Sequence, residues 1–136
     1  MPERVQAFAF DAETRNEVLT PAVEALAQHP ASHIYLFEDI LAEKLYALDT
    51  KAHARAAYPK DSFSEDGFLY VRAAVVAQGK EKYKQILQGP AQINPDEDFE
   101  PLLSLAALAY EQKTGSEFDY PSPTSYETYA NEASWQ

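Results

Sequence analysis

Apolar residues return at three- and four-residue steps along most of the chain, the spacing of amphipathic helices. It is clearest from Ser32 to Leu48. There Ile34, Phe37, Leu41, Leu45 and Leu48 form a stripe with Ile40 beside it, while Glu38, Asp39, Glu43 and Lys44 fall largely on the other side. Upstream, Val5, Phe8, Phe10, Val18 and Leu19 are apolar points in a mixed stretch. Thr20 before Pro21 predicts a helix start, because a proline in the first turn has no N–H to leave unpaired. Val23, Leu26 and Ala27 give that helix an apolar side, and Pro30 ends it. A shorter helix is expected after Asp49-Thr50, through Ala52, Ala54, Ala56 and Ala57, stopping at Pro59.

Lys60 to Glu65 read as a polar loop, with Ser64 as the cap of the next helix and Asp66 in its first turn. That helix carries Phe68, Leu69, Val71, Ala73, Ala74, Val75, Val76 and Ala77 and is apolar nearly all round, which places it at the centre of the fold. Gly79 is expected to end it as a left-handed cap. Lys80 to Leu87 form another helix with Tyr83, Ile86 and Leu87 inward, closed at Gly89-Pro90 by the same logic. Asp96, Glu97 and Asp98 would load the start of a last long helix, with Pro101 in its first turn and Thr114-Gly115 at its end. Residues 116–136 hold Pro121, Pro123, Tyr120, Tyr126, Tyr129 and Trp135, the pattern of an extended strap. Its aromatics argue that it packs down, since disordered segments are poor in them. No run alternates cleanly enough for a strand. The expected fold is all-α: a compact bundle of about six helices with an extended aromatic C-terminal strap. It is read as one domain over 1–136, with a helical core over 32–115, the strap over 116–136 and an N-terminal segment over 1–31 of unclear affinity.

Composition narrows the chemistry. A chain of 136 residues with 46% hydrophobic residues suits one self-sufficient domain. No cysteine is present, which excludes disulfides, thiol catalysis and cysteine-based metal sites. No apolar run approaches the roughly 18 residues of a membrane span. Met1-Pro2-Glu3-Arg4 does not open like a signal peptide. The formal net charge is −11, and it is uneven. Residues 1–84 hold 10 basic and 13 acidic side chains, whereas residues 85–136 hold Lys113 against 9 acids. Such a surface repels nucleic-acid phosphates and anionic membranes. It serves solubility, and it also suits a protein partner with a basic surface.

Candidate sites are few. His29 and His33 stand four apart, but Pro30 between them breaks the helix that would align them, and no metal or other cofactor is expected. Asp96, Glu97, Asp98 and Glu100 lack the spacing of a calcium loop. Gly-x-Ser-x-Gly and glycine-rich phosphate loops are absent. Lys80, Lys82 and Lys84 alternate around a helix and read as solvated surface. The constellation that stands out is Asp66, Tyr70 and Arg72 with Gln78. A guanidinium in the most apolar helix must find a partner, because an unpaired buried charge is costly. The structural reading is an ion pair with the acids near 96–100 or in the strap. The functional reading is a polar pocket in which Arg72 binds a carboxylate or phosphate.

A resemblance rests on Ser64-Glu65-Asp66-Gly67-Phe68-Leu69-Tyr70-Val71-Arg72, Val75-Val76-Ala77-Gln78-Gly79 and Tyr83. It continues through Phe99-Glu100-x-Leu102-Leu103, Ala109-Tyr110-x-x-Lys113-Thr114-Gly115, Ser125-Tyr126-Glu127-Thr128, Asn131 and Trp135. Over about residues 32–136 the chain resembles the bacterial domain-of-unknown-function 4240 family, with Ala133-Ser134 where a glycine is expected before the last tryptophan. The resemblance implies a small bacterial, cytoplasmic domain and no particular reaction. It makes Asp66, Tyr70, Arg72 and Gln78 the ligand-site candidates.

The leading expectation is a non-enzymatic protein-binding module, in one version immunity- or antitoxin-like. Its partner face would use Asp119, Tyr120, Tyr126, Glu127, Tyr129, Glu132 and Trp135. The alternative is a small-ligand binder or enzyme built around Asp66, Tyr70 and Arg72. A third reading is a nucleic-acid mimic whose carboxylates compete for a nucleic-acid-handling enzyme.

Overall fold

The helical residues occupy a chain described over residues 12–60 and 62–136 in a computed structural model. Among the described residues six α-helices follow one another: α1 Ala12–Ala27, α2 Ala31–Ala47, α3 Lys51–Ala57, α4 Glu65–Ala77, α5 Lys80–Gln88 and α6 Leu105–Thr114. Short 3-10 turns cover Pro90–Gln92, Glu100–Ser104 and Glu132–Trp135. No strand occurs among the described residues, so the fold is all-α. No helix among them is long and apolar enough to cross a membrane.

The caps follow from local chemistry. Thr50 accepts the backbone N–H of His53 at 2.9 Å and starts α3, and Ser64 accepts that of Gly67 at 3.0 Å and starts α4. Gly115 ends α6 in the left-handed region at φ 75°, ψ 5°. The other two glycines expected to end helices, Gly79 and Gly89, depart from expectation. Gly79 has positive φ but an extended ψ of 170°, so it turns the chain sharply from α4 into α5. Gly89 sits at a negative φ of −127°, outside the left-handed region, and the following Pro90 stops α5.

Two helix starts also differ. Helix α1 begins at Ala12 and runs through Thr20-Pro21 instead of starting there. An interior proline forfeits one backbone bond and costs about 3 kcal/mol. Packing of Leu19, Ala22, Val23, Leu26 and Ala27 into one core overrides the local signal. Val5, Phe8 and Phe10 lie outside the described residues. The acids Asp96, Glu97 and Asp98 precede a 3-10 turn that begins at Glu100, with Pro101 in it, and α6 starts only at Leu105.

Helix α4 lies between two apolar clusters, as its all-round apolar sequence requires. Leu69, Ala73 and Ala74 join Val23, Ile34, Leu41, Leu45, Phe99, Leu105 and Ala109. Phe68, Val71 and Val75 join Leu48, Ala54, Ala57, Tyr83, Ile86 and Ile93. Polar ties fix the helices around it. Tyr83 donates its hydroxyl to the Lys44 carbonyl at 2.8 Å, joining α5 to α2. His53 lies 2.8 Å from the Ile86 carbonyl through Nε2, joining α3 to α5. A carbonyl only accepts, so Nε2 carries the hydrogen, and Nδ1 accepts from the Thr50 hydroxyl at 2.7 Å.

Candidate functional site

Arg72 sits in the middle of α4 and is fully buried. Its Nη1 donates to the Leu45 carbonyl and to the Tyr126 carbonyl, both at 3.0 Å. Its Nη2 donates to the Thr128 hydroxyl at 2.9 Å, and that hydroxyl donates to the Glu65 carbonyl at 2.8 Å. The guanidinium also lies 4.8 Å from the centre of the Phe68 ring. Nε has no hydrogen-bond partner among the described residues. The partners named here are oxygens of neutral groups, not the carboxylate expected of an ion pair. The strap does supply two of them, through a backbone carbonyl and a hydroxyl. Leu45 lies in the last turn of α2, where unpaired carbonyls and the helix dipole favour a cation. Burial lowers the Arg72 pKa to about 10, opposed by the charges of Asp49 and Glu127, so the group remains cationic at neutral pH.

Asp49 is the second buried charge, just beyond the end of α2. Its Oδ1 accepts the backbone N–H of Tyr129 at 3.1 Å and the indole N–H of Trp135 at 2.9 Å. Its Oδ2 accepts the backbone N–H of Asn131 at 3.0 Å. The Asn131 amide in turn donates to the Tyr46 carbonyl at 3.0 Å. Sequence reasoning took Asp49 only as part of a helix junction. Its one available signal was an acid directly after the apolar end of a helix, Leu45 to Leu48.

A third anchor holds the start of the strap. Tyr120 donates to both carboxylate oxygens of Asp39 at 2.9 Å, and Ser122 donates to Oδ1 at 3.0 Å. Tyr120 also stacks on Tyr35 of α2, with ring centres 4.7 Å apart. At the far end Trp135 stacks on Phe63 at 6.2 Å, meets Phe68 edge-on at 6.2 Å and meets Tyr129 at 4.5 Å.

Arg72 stands apart from the other expected site residues, while Asp66 and Tyr70 remain near enough to interact. Arg72 is sealed beneath the strap, while Asp66 is exposed at the start of α4. Tyr70 is half-buried, and its hydroxyl pKa is raised by burial and by the neighbouring Glu100 and Asp66 charges. Gln78 is half-buried, donates to Glu97 at 3.3 Å and leaves its own oxygen unpaired. Of the strap residues, Asp119, Glu127, Tyr129 and Glu132 are exposed, whereas Tyr120, Tyr126 and Trp135 are partly buried against the body. His29 and His33 do meet, Nδ1 to Nδ1 at 3.3 Å, so the intervening proline does not separate their rings. Among the described residues no group of three or more His, Asp or Glu side chains is placed to hold a metal ion.

Where the strap crosses α2 it leaves two adjoining depressions that share Thr124 and Ser125. One, of about 560 Å³, is lined by Glu43, Tyr46, Pro123, Thr124, Ser125 and Ala130. The other, of about 280 Å³, is lined by Glu38, Ser122, Thr124, Ser125, Tyr126 and Glu127. Three carboxylates and several hydroxyls face this furrow, and no basic side chain is among its described lining residues. Burial, and then the charge of Asp39, raises the Glu38 pKa above the usual carboxylate range. A carboxylate in that condition gains from a nearby cation.

No curated protein and no solved structure matches the chain. The family match starts near the N-terminus, earlier than the resemblance over 32–136 suggested, and stops at Gln112, before the strap. Residues 4–112, about four-fifths of the sequence, match the family described as "Protein of unknown function (DUF4240)", and the chain belongs to that family.

Proposed function

We propose that this protein is a non-enzymatic binding module that receives a basic protein surface on the furrow between α2 and the strap. The observation that carries this reading is the furrow's chemistry. Glu38, Glu43 and Glu127 line it together with the hydroxyls of Ser122, Thr124, Ser125 and Tyr126. Lysine or arginine side chains entering it would find carboxylates and neutral acceptors. Tyr46 stands exposed at its wall and offers an aromatic contact of the kind that anchors interfaces. The acidic strap residues Asp119, Glu127 and Glu132 extend the negative field, and a net charge of −11 steers a basic partner toward it. An immunity- or antitoxin-like role is the specific form of this reading, with the acidic face covering a basic surface on its target. The competing reading, a ligand pocket at Asp66, Tyr70 and Arg72, loses support because the strap takes the guanidinium's bonds.

A titration with a lysine- and arginine-rich peptide, followed by backbone amide shifts, tests the location. The expected shifts concentrate on residues 38–46 and 122–130 and fade at high salt. Equal shifts over all acidic regions, α1 and α6 included, would contradict a dedicated face.

A further inference from the structure

The strap is bound to the rest of the molecule in the way a peptide is bound to a receptor. The receiving groups belong to α2, to its end and to α4: the Asp39 and Asp49 carboxylates, the Arg72 guanidinium, and the Tyr46 and Glu65 carbonyls. Several of the bonds read main chain. Asp49 takes the N–H groups of Tyr129 and Asn131, and Arg72 takes the carbonyl of Tyr126. The remainder select side chains: a tyrosine at Asp39, a threonine at Arg72, and an indole at Asp49 over Phe63 and Phe68. Paired charges of opposite sign under an extended segment are thus matched to its donors and acceptors in register.

The strap brings little structure of its own. Its internal backbone bonds close single turns, Ala130 to Glu127 and Ser134 to Asn131. Tyr129 is held at φ 79°, a conformation an aromatic residue adopts only under constraint, and Asp49 supplies that constraint through the Tyr129 N–H. The last turn of α6 and the chain leaving it are exposed from Glu111 to Glu117, with the turn at the left-handed Gly115. Nothing in these contacts requires that strap and body belong to the same molecule.

We propose that the cleft over Arg72 and Asp49 is a peptide-binding site that accepts the aromatic strap from a second copy of the chain as well as its own. Exchange keeps the full set of contacts, which is the condition for a swapped pair. A tethered strap competes at an effective concentration of order mM, so the exchanged form emerges when the resident strap is loosened or the protein is concentrated. This inference is independent of the acidic-furrow reading, since it rests on buried groups beneath the strap.

The test uses the full chain carrying Trp135→Ala and a fluorescent synthetic peptide of residues 116–136. That chain keeps its cleft but has lost the indole bond to Asp49, and it contains no other tryptophan. The peptide is expected to bind it saturably and at least about tenfold tighter than it binds wild type, whose own strap competes. Its tryptophan emission should shift to the blue as the ring enters against Phe63 and Phe68. A peptide with alanine in place of that tryptophan should bind at least about tenfold more weakly. Absence of saturable binding to the Trp135→Ala chain, or equal binding to both chains, would overturn the proposal. If the Trp135→Ala chain does not fold, a Tyr120→Phe chain, loosened only at Asp39, replaces it. Saturable binding tighter than to wild type then supports the exchange, and its absence overturns it.

Discussion

Trp135 donates its indole N–H to the buried carboxylate of Asp49 across 86 positions of sequence, at 2.9 Å. The bond makes the end of the strap a structural partner of the junction between α2 and α3. Asp49 also holds the Tyr129 and Asn131 backbones, and Arg72 holds Tyr126 and Thr128, so the two buried charges clamp one continuous stretch. The Asp49 charge offsets part of the cost of burying Arg72, since it raises the Arg72 pKa that burial lowers.

Replacing Asp49 removes three acceptor contacts and takes from Arg72 the charge that compensates its burial most. Asp49→Ala is expected to lose about 3–5 kcal/mol of stability in denaturant unfolding. A loss under about 1 kcal/mol would mean the strap contributes little to folding.

Arg72→Leu is expected to lose stability as well, by about 2–4 kcal/mol, because it removes the donor to the Tyr126 carbonyl and the Thr128 hydroxyl oxygen and the cation beside buried Asp49. Arg72→Lys should recover only part of the loss, since an ammonium cannot span acceptors on α2 and the strap at once. Stability equal to wild type in the leucine variant would instead mark Arg72 as a ligand-binding group.

His53 sets a pH dependence. Burial lowers its pKa below the usual 6.5, against the raising effect of the Ile86 carbonyl. The unfolded chain therefore takes up the proton first. Stability from this group is complete above about pH 6.5 and is lost as pH falls from there through the folded-state value. Thermal unfolding of wild type should weaken over that window, and a His53→Gln variant should show a flatter profile. Identical slopes would assign the acid loss to other groups.

Glu38 has the opposite sign. Its raised pKa means the charged form is disfavoured in the fold, so its contribution fades as pH rises through the folded value. At neutral pH Glu38→Gln is expected to raise stability slightly, by less than about 1 kcal/mol because the group is only half-buried. The same variant should weaken binding of the basic peptide. Lower stability together with unchanged binding would make Glu38 a structural residue.

The sequence made some features legible because short-range chemistry controls them. Thr50 and Ser64 cap helices three residues ahead of the N–H groups they accept, and Gly115 adopts the left-handed turn on its own account. The all-round apolar character of α4 announced its central place. Thr20-Pro21 misled because packing of α1 outweighs one missing backbone bond. Arg72 was visible as a buried charge in need of partners. Its partners were not, because carbonyls belong to every residue and carry no sequence signal. Asp49 was illegible for a related reason: its burial depends on donors some 80 to 86 positions away. The strap's aromatics were expected to pack down. Which of them turn inward depends on the register set by Asp39, Arg72 and Asp49, which spacing alone does not encode.

The proposed binding role is tested most directly by capture from lysate of the protein's own host. Wild type and a Glu38→Lys, Glu43→Lys, Glu127→Lys variant are compared side by side at low and high salt. The account predicts a stoichiometric protein partner with wild type at low salt, lost at high salt and absent with the variant. A partner retained equally by both chains at both salt levels, or no partner with either, would contradict it.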